Sequence, residues 1–131
     1  MKMKTMEQQR AKYAFDQVCE AAKDNDIKND EYKSHAASFP AMIHTNGLGQ
    51  AAVFYKSKND ARQNLYKLLS KWLTGDGQPY EKYGKFELIK GIVNEDMHTY
   101  RLAQAEAQAL LNWVKKTAAA YMRTDEPSGE E

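Results

Sequence analysis

The sequence holds a single cysteine, Cys19, in 131 residues, which excludes a framework of internal disulfides. Its three histidines, His35, His44 and His98, are far apart, and no cluster of Cys and His has zinc-site spacing. No apolar run approaches the roughly 18 residues of a membrane span. The opening MKMKTMEQQR lacks the apolar core of a secretory signal. The expectation is a soluble, cytoplasmic protein with no membrane contact.

Charge of one sign is also lacking, since the net charge is only +1. That balance hides a division. The terminal DEPSGEE carries Asp125, Glu126, Glu130 and Glu131, and without it residues 1–124 carry +5. A Pro-Ser-Gly stretch of like charge is expected to be disordered. The sequence therefore predicts one helical domain over residues 1–123 and an acidic, disordered tail over 124–131. A mildly basic body permits a nucleic-acid partner without demanding one.

What is present is helical periodicity. From about Thr5 to Lys23, Ala11, Ala14, Phe15, Val18 and Ala22 recur three and four apart, one face of an amphipathic helix. A second helix is expected from about Asp30 to Ser38. It should stop or kink near Phe39, because Pro40 disfavours helical geometry in the residue before it. Pro40 then suits the first turn of a short helix through His44. Asn46-Gly47-Leu48-Gly49-Gln50 reads as a tight corner, with Gly47 supplying a left-handed cap.

Helical character resumes after the corner. Asn59 or Asp60 is placed to cap a helix from Ala61 to about Thr74, with Leu65, Leu68, Leu69, Trp72 and Leu73 on one face. GDGQP marks a loop, and a weaker helix is expected over about 81–92. Asn94 is the expected cap of the longest helix, to about Arg123, with Tyr100, Ala103, Ala107, Leu110, Leu111, Val114, Ala118 and Tyr121 inward. Five to seven helices without a convincing strand predict an all-α bundle.

Catalytic signatures are missing. Cys19 flanks an apolar stripe and reads as a structural thiol. Glu95 and Asp96 read as first-turn acids opposing the helix dipole. Gly47-Leu48-Gly49 has neither the preceding strand nor the third glycine of a dinucleotide fingerprint, and no P-loop follows. Trp72, Trp113, Tyr100 and Phe54 fall on apolar faces and read as core. No enzyme, cofactor, metal or small-molecule substrate is expected.

One polar feature remains. Arg101, Gln104, Gln108 and Lys115 fall within roughly one 60° sector of the last helix at about 100° per residue. Arg10 and Gln17 form a similar edge on the first helix. Such side chains bond phosphates and sugars without reading sequence, although a solvated helix face has the same pattern.

Three segments carry a family resemblance: QQRAKYAFDQV, SFPAMIHTNGLGQAAVFYKSK and YRLAQAEAQALLNWVKK. In this order, with LYKLLSKWL between the last two, they resemble the small α-helical subunit of the Cmr complex, the type III-B CRISPR effector. The resemblance runs from about Gln8 to Ala120. It implies a non-catalytic subunit, present in several copies stacked head to tail beside the guide-RNA backbone and supporting the target RNA. Its implied partners are the other Cmr subunits, further copies of itself and, weakly and without sequence preference, the guide–target duplex. Arg10, Gln50, Arg101, Glu106, Trp113 and the corner match recurrent family positions. A helical adaptor or regulator with no nucleic-acid role is the alternative.

Overall fold

The computed structural model describes residues 3–122, so the tail expected over 124–131 lies outside them. Among these residues six helices run in order: α1 Met6–Lys23, α2 Asn29–Asn46, α3 Leu48–Lys56, α4 Ala61–Leu73, α5 Leu88–Asn94 and α6 Met97–Tyr121. No strand occurs among the described residues, and the chain is all-α. The helix α6 is the hub, packing against α1, α2, α3 and α4. Small residues on its inner face, Ala103, Ala107 and Ala118, are fully buried between Leu110, Leu111 and Val114.

Side-chain caps set several of the boundaries. Thr5 and Gln8 form a reciprocal capping box at α1, with Gln8 N–H donating to Thr5 Oγ1 at 3.0 Å and Thr5 N–H to Gln8 Oε1 at 2.9 Å. Asp60 caps α4 by accepting from Arg62 N–H at 2.9 Å. At α6 the cap is Asp96, which accepts from Thr99 N–H at 2.9 Å, so the expectation for Asn94 is corrected. The side chain of Asn94 instead donates to the Lys90 carbonyl within α5.

Two expected boundaries move. The helix α2 continues through Pro40 to Asn46 instead of breaking at Phe39. Phe39, Pro40 and Ile43 are all buried, and tertiary packing of that face outweighs the local preference against a proline. The helix expected over 81–92 forms only from Leu88. Before it come turns in which Tyr80 N–H donates to the Leu73 carbonyl at 3.0 Å. Ser70 on α4 accepts from Leu88 N–H at 3.2 Å and so caps α5 from outside.

Tyrosine closes the core. The ring of Tyr55 stacks on Phe39 with centroids 3.8 Å apart, and its hydroxyl donates to the His35 carbonyl at 2.7 Å. Tyr13 lies against Trp72 and donates to the Leu68 carbonyl at 2.7 Å. Tyr80 is fully buried beside Gly91, where an added Cβ would sit 2.8 Å from the ring. Three aromatics expected in the core are outside it. Phe15 and Tyr121 pair edge to face on the surface, and Phe54 is exposed beneath Lys58. Each lies at the margin of its apolar stripe, where Ala14, Val18 and Ala118 fill the interior instead.

Candidate functional site

The corner between α2 and α3 is built around Gly47, at φ 88 and ψ 158. The positive φ is as expected, but ψ places it in the extended, glycine-only region, not the left-handed helical one. A glycine at the start of α3 has no side chain to satisfy the first orphan N–H groups. The helix α6 does so: Leu48 N–H donates to Gln104 Oε1 at 2.8 Å, and Gly49 N–H to the Tyr100 hydroxyl at 2.9 Å. Gln108 Nε2 donates to the Pro40 carbonyl at 3.2 Å. Gly47 itself closes α2 by donating to the Ile43 carbonyl at 2.8 Å.

These bonds correct the expected orientation of two residues. Gln104 and Gln108 are half-buried and turned inward, spent on the corner. At 100° per residue Gln104 lies only about 20° from Leu111, which is buried. The sector chosen from the sequence thus straddles the edge of the core.

Arg10 is likewise engaged. Its guanidinium makes a fork with Glu106, Nε to Oε2 at 2.8 Å and Nη2 to Oε1 at 2.9 Å, while Nη1 meets Glu7 at 2.8 Å. The side chains of Arg10 and Glu106 are only 17% and 13% exposed. The Trp72 indole donates to the same Glu106 carboxylate at 2.8 Å. Burial pushes the Glu106 carboxyl up, but hydrogen bonds from Arg10 and Trp72 outweigh it and hold the group below its ordinary value. The fork with Glu106 in turn raises Arg10 further above its usual range. This network ties α1, α4 and α6 together.

Arg101 and Lys115 remain outward. Both are exposed, and neither forms an ion pair with a described residue. They lie about 21 Å apart along the helix axis at 1.5 Å per residue. Gln17 is half-buried and lines a groove between α1 and α4 with Lys67 and Phe86. Asn46 and Gln50 are exposed on the outer side of the corner. With Val53, Ile92 and Val93 they line a groove of about 580 Å³ that contains no charged residue. Leu48 is fully buried, so it belongs to the core and not to that surface.

Among the described residues no three His, Cys, Asp or Glu side chains are grouped to hold a metal ion, and no helix is long and apolar enough to cross a membrane. Glu95 and Asp96, adjacent in sequence, have separate duties. Glu95 accepts from the Tyr83 hydroxyl and pairs with Lys82 at 2.9 Å, while Asp96 caps α6.

Comparison with known proteins gives a consistent family. The family model described as CRISPR-associated protein (Cas_Cmr5) matches residues 6–121. The CRISPR system Cmr subunit Cmr5 of Thermotoga maritima is 30% identical over 128 residues, covering 96% of this chain and 92% of that protein. The crystal structure of a CRISPR-associated Cmr5 family protein from Thermus thermophilus superposes with a TM-score of 0.78 at 28% identity. It covers 92% of this chain and all of that one.

Proposed function

Because this chain belongs to the CRISPR-associated Cmr5 family, we propose that it is a non-catalytic small subunit of a type III-B Cmr effector. In this reading several copies stack along the complex. Each lays the outer side of α6 against the target RNA, with Arg101 and Lys115 meeting phosphates. The observation that carries it is selective: these two cations stay exposed and uncommitted, whereas Arg10 is neutralised inside the fold. Such contacts are sequence-independent. A lone subunit should bind RNA only in the non-specific range, roughly 10⁻⁴ to 10⁻⁶ M. Alignment of copies along one strand then raises the effective concentration of the next contact.

The groove outside the corner suits a protein neighbour better than RNA, since it is largely apolar and carries no cation to neutralise a phosphate. A head-to-tail stack needs two unlike surfaces per subunit, and this groove is offered as one of them.

The test is target-RNA binding by reconstituted complexes carrying Arg101→Ala or Lys115→Ala, measured across salt concentrations. Each change should weaken binding similarly for all sequences and reduce the salt slope by about one unit. Arg10→Ala should act on stability instead. Unchanged RNA affinity in both α6 variants, with normal assembly, would make the α6 face merely solvated. Loss of assembly would favour a protein-only adaptor role.

A further inference from the structure

Two exposed phenylalanines have cations over their rings, and the two clusters are not equivalent. At Phe54 the cations are Lys58, 4.7 Å from the ring centroid, and Arg62 at 5.5 Å. The Arg62 guanidinium is already bound twice by Asp60, through Nε at 3.1 Å and Nη2 at 2.7 Å. Its charge is answered within the fold. At Phe86 the cations are Lys85 at 5.3 Å and Lys67 at 5.9 Å. Neither lysine is in an ion pair with any described residue.

Phe86 is held by its backbone, and its ring meets the two mobile lysine side chains. Its carbonyl accepts from the Tyr66 hydroxyl at 3.2 Å, and the turn leads into α5 where Ser70 caps Leu88. The residue is 44% exposed. It forms the rim of a groove of about 430 Å³, whose walls include Gln17, Asn64, Lys67, Glu20 and Asp24. That volume is within the ordinary range of small-ligand clefts, about 300–1,000 Å³.

We propose that Phe86 is a stacking platform for one unpaired base of an RNA strand, with Lys67 and Lys85 taking the adjoining phosphates. This rests on the RNA-supporting reading above and assigns it a second contact, outside α6. Every base has a π face, so aromatic stacking is tolerant of sequence, as an RNA-supporting subunit requires. Gln17 and Asn64 each offer both a donor and an acceptor to a base edge. Glu20 and Asp24 on the opposite wall repel phosphate and direct the backbone to the lysine side. An apolar protein partner would bury two lysine heads with no carboxylate from the fold to meet them, at a desolvation cost.

The platform is tested by titrating labelled single-stranded oligouridylate into the full chain at low salt. Phe86→Leu should weaken binding roughly 5- to 150-fold, the equivalent of stacking worth about 1–3 kcal/mol. Phe86→Trp should retain or strengthen it, and 5-iodouridine in the same RNA should photo-cross-link to the peptide containing Phe86. An unchanged thermal melt for Phe86→Leu separates this loss from misfolding. If Phe86→Leu binds normally while Lys67→Gln and Lys85→Gln bind weakly, the patch meets phosphate alone and the platform is wrong. If Phe86→Leu keeps RNA binding but fails to enter the complex, the surface belongs to a protein neighbour and the platform is again wrong. A wild-type chain that binds no oligouridylate also overturns the platform; the α6 reading is then judged separately, on the assembled complex.

Discussion

At the scale of residues, the corner asks most of Gly47. Its φ of 88 with ψ 158 is a glycine-only conformation, and an added Cβ would lie 3.2 Å from the Tyr100 hydroxyl. Gly47→Ala should therefore cost about 1–3 kcal/mol of folding stability. Gly49→Ala is the control. Its Cβ would meet Ile92 at an ordinary 3.5 Å inside α3, and alanine is the better helix former. Denaturant midpoints should fall for the first and hold or rise for the second. Equal effects would mean that the backbone of Gly47 is not what constrains the corner. The same scale explains Arg10 and Arg101, which look alike in sequence. Only the position of Glu106, 96 residues from Arg10, makes one a tie and leaves the other free.

At the scale of elements, the Arg10–Glu106–Trp72 network holds α1 and α4 to α6. Glu106→Gln should destabilise the fold by about 1.5–3 kcal/mol at neutral pH, as a lost charge-assisted hydrogen bond does. Because the folded carboxyl lies below its ordinary value of 4.5, its stabilisation is fully present above that pH. It is lost as pH falls through the lower folded value. The gap between wild type and Glu106→Gln should thus narrow on acidification below about pH 4.5. A gap constant from pH 7 to pH 3 would show that the charge of Glu106 contributes nothing. The helices themselves were legible from periodicity, because spacing of alanine and leucine fixes which face turns inward. Their boundaries were less so: Pro40 sits inside α2 because distant packing overrides it, and α5 is capped by Ser70 on another helix. The polar stripe was half legible. Arg101 and Lys115 face outward as spacing implied, whereas Gln104 and Gln108 turn inward to backbone groups of α2 and α3 that no local pattern names. Phe86, Lys67 and Lys85 went unseen because they meet across two elements; the only local cue was Lys85-Phe86 in a turn beside Gly84.

At the scale of the whole molecule, α6 completes an element that comes more than forty residues earlier in the chain. The start of α3 has lent its first two amide hydrogens to Gln104 and Tyr100. In most helices such first-turn amides exchange with solvent deuterium quickly, having no intrahelical acceptor. Here Leu48 and Gly49 are released when the α6 side chains let go, as they must when α6 lifts away, so both should exchange more slowly than unbonded first-turn amides. Hydrogen exchange followed by NMR reads this directly. Gln104→Ala should release Leu48 alone, with Gly49 staying slow, while exchange of both at first-turn rates in the native protein would mean that the two bonds are not held in solution. Two isotope labels on a short helix thus become a gauge of how firmly the longest helix in the protein holds it.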